Sequence, residues 1–220
     1  MTAARPRRVL HCDAVLFDLD GVLADSIASV ERHWRGWAAA RGIDVERALQ
    51  TVHGRRAIES IRLLAPHLDA DAEVAALSAR EAADASDVHR IPGAAELLAA
   101  LPADRWGIVT SGTRAVAEAR LRVVGVTPPA TMVTADDVTH GKPDPQGYLL
   151  GARRLGVAAS GCVVVEDAPI GIDAAHAAGM RALGVATTYP ADQLAHAELV
   201  VRSLGEVRVT VQGPRIALSA

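Results

Sequence analysis

The sequence predicts an α/β fold, a doubly wound parallel sheet with an inserted small α-helical domain. Apolar runs of strand length alternate with helical patterns over most of the 220 residues, which is typical of a parallel sheet covered by helices on both faces. One stretch, residues 27–90, departs from this alternation and shows only helical spacing of Ala, Arg, Glu and Leu. The predicted strands occupy residues 14–17, 105–110, 131–134, 162–166, 181–186 and 198–201.

The first predicted strand, residues 14–17, is followed at once by two acids, Asp18 and Asp20. Residues i and i+2 of an extended segment project to the same side, so both carboxylates are expected at the carboxyl edge of the sheet. Open α/β folds build their sites at that edge. Gly21 supplies a sharp exit from the strand, and Ser26 is predicted to be the N-cap of a helix over residues 27–41.

The helical stretch is predicted to be a separate domain, residues 28–91, inserted after the first strand. The core domain then consists of residues 1–27 and 92–220. Within the core, Gly125, Gly156 and Gly179 are placed where three helices end, as C-terminal glycines should be. Residues 207–212 are strand-like, but their assignment and that of the tail behind them stay open.

Composition limits the classes of function. The net charge of −3 gives no basic field, so no nucleic-acid partner is predicted. Cys12 and Cys162 fall in or beside buried strands and are predicted to be core residues rather than a disulfide or metal pair. The apolar run near the N-terminus is too short for a signal peptide, and no segment approaches the ~20 apolar residues of a membrane helix. We therefore expect no membrane partner, a cytoplasmic location, and a monomer or weak dimer.

Four short motifs, in this order, resemble those of the haloacid dehalogenase-like hydrolases. One Asp-x-Asp motif is weak evidence, but four strand-end motifs in order are strong. The resemblance implies a Rossmann-like core domain and identifies the helical insertion as a cap that covers the site. The motifs are Phe-Asp-Leu-Asp-Gly-Val-Leu-Ala-Asp-Ser at residues 17–26, Gly-Ile-Val-Thr-Ser-Gly at 107–112, His-Gly-Lys-Pro-Asp-Pro at 140–145 and Cys-Val-Val-Val-Glu-Asp at 162–167.

The resemblance implies a role for each motif residue in phosphoryl transfer. Asp18 matches the nucleophile that forms an aspartyl phosphate, and Asp20 matches the acid that protonates the leaving alkoxide and then activates water. Asp20 also separates this chain from true dehalogenases, which lack the second acid. Thr110, with Ser111 and Gly112 beside it, is expected to bind the phosphoryl group.

Lys142 matches the cation of the third motif, and composition supports its importance independently. The chain has 23 basic residues other than histidine, and Lys142 is the only lysine among them. A compact ammonium on a flexible stem differs from a planar guanidinium, so the single lysine points to a site that needs a point charge. A leftover surface lysine is the alternative.

The resemblance also implies Mg²⁺ as cofactor, a hard cation that prefers oxygen ligands. The expected ligands are the side chains of Asp18 and Asp167 and the backbone carbonyl of Asp20, with Glu166 close by, either directly or through water. The alternative for Glu166 and Asp167 is an acidic pair that stabilises a helix N-terminus.

The expected substrate is a small phosphorylated metabolite, a sugar or polyol phosphate. The basic cluster His53-Gly54-Arg55-Arg56 resembles the substrate-facing cap loop of sugar phosphatases, so His53 and Arg56 are candidate substrate ligands; a solvated positive face is the alternative. β-Phosphoglucomutase is the second enzyme considered, but Val30 stands where those mutases carry a histidine. A metabolite-binding protein without turnover is the third possibility.

Overall fold

The computed structural model describes residues 8–220, and they form an α/β core with a helical block inserted near its start. The strands are β1 (Val9–Cys12), β2 (Ala14–Phe17), β3 (Ala24–Asp25), β4 (His89–Arg90), β5 (Trp106–Val109), β6 (Met132–Val133), β7 (Cys162–Glu166), β8 (Arg181–Val185), β9 (Leu199–Val201), β10 (Arg208–Gln212) and β11 (Arg215–Ser219). The α-helices are α1 (Ile27–Ala40), α2 (Val45–Val52), α3 (Ala57–Leu64), α4 (Ala70–Ala83), α5 (Ala94–Ala99), α6 (Arg114–Val124), α7 (Gln146–Leu155) and α8 (Pro169–Ala177).

The main sheet has six parallel strands in the order β6-β5-β2-β7-β8-β9. This confirms the predicted doubly wound fold and its six strands, whose ends differ from the predicted ones by at most one residue. Strands β2 and β7 are buried along their whole length, as their apolar sequences require. Because β5, β2 and β7 are neighbours, the three segments that follow them meet at one edge of the sheet.

Each face of the sheet has its own hydrophobic core. In β2, Val15 and Phe17 pack into one core with α5 and α6, whereas Ala14 and Leu16 pack into the other with α7 and α8. This alternation follows from the two-residue period of a strand. On the second face, a Cβ atom on Gly151 would lie 3.0 Å from the Leu16 side chain, so glycine lets α7 approach β2 closely.

Helices α1 to α4 form the inserted block and bury a third hydrophobic cluster of their own. Trp34 and Trp37 lie at its centre with ring centroids 5.2 Å apart, and the Trp37 Nε1 donates a hydrogen bond to Glu73. At the base of the block, β3 and β4 pair as two short antiparallel segments. The prediction of no strand within residues 27–90 was therefore wrong at His89 and Arg90, whose exposed side chains carry no apolar pattern.

The C-terminal segment forms an antiparallel hairpin, β10 and β11, that continues onto β1 in a second sheet. This settles the strand that the sequence left open and adds β1, which the sequence did not predict. Ile216 and Leu218 are fully buried, so the tail is part of the core. Its partner lies some 200 positions away along the chain, which is why local pattern could not assign it.

Three helix ends agree with expectation. Gly125 and Gly156 terminate α6 and α7 in the left-handed conformation, and Gly179, with φ of 72°, directly follows the C-cap of α8. Within residues 8–220, no helix is both long and apolar enough to cross a membrane.

We expect Ile216→Ala to lower the free energy of unfolding by about 2–4 kcal/mol, because it leaves a cavity in the core beneath the tail. Val211→Ala is the matched control: Val211 is the cross-strand partner of Ile216 but is 41% exposed. Its effect should stay within about 0.5 kcal/mol. Urea unfolding of both variants measures the difference, and equal losses would contradict a buried structural role for the tail.

Candidate active site

A cluster of buried charged residues occupies the carboxyl edge of the main sheet. Asp18 directly follows β2, Glu166 ends β7, Asp167 follows it, and Lys142 lies in the loop before α7. All four are buried, with Glu166 wholly inaccessible. The backbone N–H of Asp18 donates to the carbonyl of Val165, which fixes the ends of β2 and β7 against one another. The structure thus brings together four of the residues that the sequence proposed.

The Lys142 ammonium lies between two carboxylates. Its Nζ atom is 3.0 Å from Asp18 Oδ1 and donates a 2.6 Å hydrogen bond to Glu166 Oε1. Burial by itself lowers the pKa of Lys142, but Asp18 and Glu166 raise it, and the net pKa is well above the usual range. Lys142 is therefore a permanent positive charge and cannot serve as a base near neutral pH.

Glu166 is held by four donors. Its Oε1 accepts hydrogen bonds from Lys142 and from the hydroxyl of Tyr148 at 2.8 Å, and its Oε2 accepts from the backbone N–H groups of Asp167 and Ala168. A Cβ atom on Gly171 would lie 1.8 Å from Oε1, so a side chain there could not be accommodated. Both oxygens are occupied, which places Glu166 to hold Lys142 and leaves it less suited to the direct metal contact that the sequence suggested.

Tyr148 is a contact that the sequence analysis missed. It is fully buried on the first turn of α7, six residues after Lys142, and is one of two tyrosines in the chain. Burial and the neighbouring Glu166 carboxylate raise the pKa of Tyr148 well above its usual value, so the hydroxyl keeps its proton and donates. A buried Tyr needs a partner for its hydroxyl. No local pattern indicated that the partner would be Glu166.

The residues present fit a divalent cation. Ligand atoms of Asp18, Glu166 and Asp167 all lie within 4.8 Å of one another. Three buried carboxylates face one ammonium, so the site carries excess negative charge unless a cation binds there or a carboxylate takes up a proton. The Oδ1 atom of Asp18 is buried and accepts no well-aligned hydrogen bond, so it retains a free lone pair despite its ion pair with Lys142. Hard oxygen donors of this kind suit Mg²⁺.

Burial and the crowding of carboxylates raise the pKa values of Asp18 and Asp167. Burial, followed by repulsion from Glu166 and Asp20, raises the pKa of Asp18 from 3.8 to about 7, although Lys142 opposes the shift. Burial and the charges of Glu166 and Asp18 raise the pKa of Asp167 as well. A cation bound between Asp18 and Asp167 would reverse both shifts by stabilising the ionised forms.

Asp20 is the more accessible of the two motif acids. Its Oδ1 atom accepts hydrogen bonds from Ser26 Oγ at 2.6 Å and from Arg120 Nη1 at 2.7 Å. The prediction that Ser26 is the N-cap residue of α1 is confirmed, but its side chain makes no capping hydrogen bond because its hydroxyl donates to Asp20. Arg120 also reaches Glu81 Oε2 on α4 at 3.3 Å.

The proposed phosphoryl-binding residues follow β5. Thr110 is buried, and its Oγ1 accepts a hydrogen bond from the backbone N–H of Gly112. Ser111 Oγ donates instead to the carbonyl of Gly54 in the helical block, at 2.8 Å. Ser111 and Gly112 border the same cavity as Asp18 and Asp20, so this loop forms part of its wall.

The cavity lies between the core and the helical block and has a volume of about 300 Å³. This size suits a small ligand. Its walls combine apolar and polar groups from both sides. Core residues on its surface include Asp18, Asp20, Ser111 and Asp167, and those of the helical block include Trp34, Val52, His53, Leu77 and Glu81.

The two cap candidates have different surroundings. His53 borders the cavity, and burial lowers its pKa while Glu31 opposes the shift. Arg56 is buried and its guanidinium is engaged by the protein itself. Its nitrogens donate to the carboxylate of Glu59 and to three backbone carbonyls of the core, those of Ala135, Val138 and Thr139. Each of its three nitrogens thus has a protein acceptor, and Arg56 links the block to the core. Arg56 also borders the cavity, so its expected contact with substrate stays a prediction.

Comparisons with known proteins agree with this arrangement. The family model described as haloacid dehalogenase-like hydrolase matches residues 12–179. The chain is similar to Hexitol phosphatase A of Escherichia coli K12, with 42% identity over 92% of this chain and 96% of the relative. It is also similar to Glycerol-1-phosphate phosphohydrolase 2 of Saccharomyces cerevisiae, with 35% identity over 91% and 86%. A crystal structure of a hydrolase from Pseudomonas syringae superimposes with a TM-score of 0.74 at 27% identity, covering 87% of this chain and 94% of that one.

The raised pKa of Asp18 predicts how the stability of the metal-free protein depends on pH. Folded Asp18 keeps a proton up to about pH 7 that unfolded Asp18 loses near pH 4, so this group makes folding less favourable as pH rises through that window. Asp18→Asn cannot ionise and should gain stability relative to wild type between pH 4.5 and 7.5. Urea unfolding in EDTA measures this gain. Asp104→Asn, an exposed acid, is the control, and a gain independent of pH would contradict the prediction.

Proposed function

Because the chain belongs to the haloacid dehalogenase-like hydrolases, we propose that it is a phosphatase that hydrolyses monophosphates of small sugars or polyols. The observation that carries the proposal is the meeting of Asp18, Asp20 and Asp167 at one edge of a cavity of about 300 Å³, with the Lys142 ammonium 3.0 Å from Asp18 Oδ1. In this proposal residues 28–91 are a cap domain, and residues 1–27 and 92–220 are the core domain.

Asp18 is the proposed nucleophile. One of its oxygens attacks phosphorus, the bond from phosphorus to the leaving oxygen breaks, and an aspartyl phosphate forms. Water then attacks that phosphorus, and release of inorganic phosphate restores the carboxylate. Lys142, 3.0 Å from Asp18 Oδ1, supports this step because its charge favours the ionised aspartate and offsets the negative phosphoryl oxygens.

Asp20 is the proposed acid and base. It gives a proton to the leaving alkoxide in the first step and takes one from the attacking water in the second. Its greater accessibility supports this role, because 29% of its side chain is exposed whereas only 7% of the Asp18 side chain is. An acid that must contact both a substrate oxygen and a water molecule needs such access.

Mg²⁺ is the proposed cofactor, held by the side chains of Asp18 and Asp167 and by the backbone carbonyl of Asp20. When bound, the cation neutralises carboxylate and phosphoryl charge. Glu166 supports the site through Lys142 rather than as a first ligand, given its four hydrogen-bond donors. Thr110, Ser111 and Gly112 are proposed to bind the phosphoryl oxygens once substrate is present.

A monophosphate whose polyol or sugar part is uncharged suits the remaining walls of the cavity. Carboxylates of Asp71 and Glu81 and the imidazole of His53 offer partners for hydroxyl groups, and Trp34 and Leu77 offer apolar surface. Hexitol phosphatase A and glycerol-1-phosphate phosphohydrolase 2 support the same substrate class. Val30 also borders the cavity, and a valine cannot act as the proton carrier that a mutase needs at that position.

The test is a panel of sugar and polyol phosphates assayed with Mg²⁺ for release of inorganic phosphate. Asp18→Asn should lower kcat by about 10³-fold or more, because the amide removes the nucleophile. Asp25→Asn, an exposed acid in the same segment, should leave kcat within about twofold. No turnover of any ester by wild type would favour a binding protein, and net conversion of β-glucose 1-phosphate to glucose 6-phosphate would favour a mutase.

Lys142→Arg should also lower kcat, by about 100-fold, because the planar guanidinium of arginine cannot place one nitrogen between Asp18 and Glu166. Tyr148→Phe removes only one hydrogen bond to Glu166 and should cost about tenfold or less. Steady-state kinetics on the best ester of the panel give both values. Wild-type turnover in Lys142→Arg would show that the site needs a cation but not a point charge.

A further inference from the structure

We propose that Arg120 is a positioning residue for Asp20, an inference that rests on the proposed function of Asp20 as acid and base. Arg120 lies on α6, a helix of the core, and its side chain is 5% exposed. One terminal nitrogen lies 2.7 Å from Asp20 Oδ1, and the other lies 3.3 Å from Glu81 Oε2 on α4. The guanidinium therefore joins the motif acid to the helical block.

The place of Arg120 in its helix is unusual for a charged residue. Its buried neighbours on α6 are apolar, among them Val116, Ala117 and Leu121. A buried charge is tolerated when it is paired, and both partners of Arg120 are carboxylates from other parts of the chain. Glu81 in turn is largely buried, and burial raises its pKa while Arg120 opposes the shift. Arg120 therefore compensates the charges of both Asp20 and Glu81, and those two carboxylates compensate the buried charge of Arg120.

The two carboxylate oxygens of Asp20 differ in the hydrogen bonds that they accept. Both Ser26 and Arg120 donate to Oδ1, which concentrates negative charge on that atom. The proton is then carried by Oδ2, which has no such donor among residues 8–220. Oδ2 gives this proton to the leaving oxygen as the bond to phosphorus breaks, and it recovers one from the attacking water. Arg120 acts through Asp20, and it also makes the orientation of Asp20 depend on the position of α4.

The experiment compares an alkyl phosphate with an aryl phosphate. The alkyl ester is the best substrate of the panel and needs its leaving oxygen protonated; 4-nitrophenyl phosphate has a good leaving group and needs this less. We expect Arg120→Met to lower kcat on the alkyl ester at least tenfold more than on 4-nitrophenyl phosphate, with KM changed less than threefold. Arg122→Met, an exposed arginine on the same helix, should change neither substrate.

Asp20→Asn serves as the reference for the proposed function. Suppose that Asp20→Asn loses more kcat on the alkyl ester than on 4-nitrophenyl phosphate and Arg120→Met does not. Only the inference about Arg120 is then overturned. If Asp20→Asn loses both substrates equally, the assignment of Asp20 as acid fails, and the role of Arg120 fails with it. A rise in KM without loss of kcat would make Arg120 a substrate contact and overturn the proposal.

Two further measurements keep the test valid if Arg120→Met folds poorly. Glu81→Gln leaves the pair of Arg120 and Asp20 intact but weakens the second ion pair of the guanidinium. We expect a smaller loss of kcat than in Arg120→Met, again greater on the alkyl ester than on 4-nitrophenyl phosphate. Millimolar guanidinium should restore part of the alkyl phosphatase activity of Arg120→Ala, whereas sodium chloride at equal concentration should not. A loss in Glu81→Gln that is equal for both esters, or an absence of rescue, would overturn the proposal.

Discussion

Buried negative charge at one edge of the sheet is the constraint on which the rest of the site depends. Asp18, Glu166 and Asp167 are forced together because β2 and β7 are parallel neighbours and each ends in acids. Carboxylates in such a place are costly unless each has a donor or a cation. Lys142 supplies one positive charge, and backbone N–H groups at the start of α8 supply two hydrogen bonds to Glu166. The charge that remains is what makes a divalent cation fit.

The helical block is fastened to the loops that carry these charged groups. Ser111 donates to the carbonyl of Gly54, and the guanidinium of Arg56 is bound to three carbonyls of the core. Glu59, one turn along α3, accepts a hydrogen bond from the N–H of Gly141, the residue before the sole lysine. The position of the block is thus coupled to two of the loops that form the site. The contacts that hold the block over the cavity therefore also hold two of the loops that carry its polar groups.

The sequence was sufficient where the information is local. The apolar runs that became β2, β5 and β7, and the polar residues at their ends, could be recognised because strand and motif lie next to each other. Arg120 and Asp20 are 100 positions apart, and an arginine among apolar residues does not identify its partner. Tyr148 was missed for the same reason. The bonds of Arg56 to core carbonyls were not foreseen either, because a basic residue in a cap loop does not indicate which backbone groups it will meet. Contacts that depend on domain packing leave no local pattern.

The two buried cations of the site show why this chain keeps a single lysine among arginines. At Lys142, oxygens of Asp18 and Glu166 converge on one nitrogen at 3.0 and 2.6 Å, a geometry that suits a point charge. At Arg120, the two carboxylates are each met by a different terminal nitrogen of the planar fork. Exchange of either cation for the other would leave one carboxylate without its partner in a buried place. The choice of cation therefore follows from how the two acids are arranged around it.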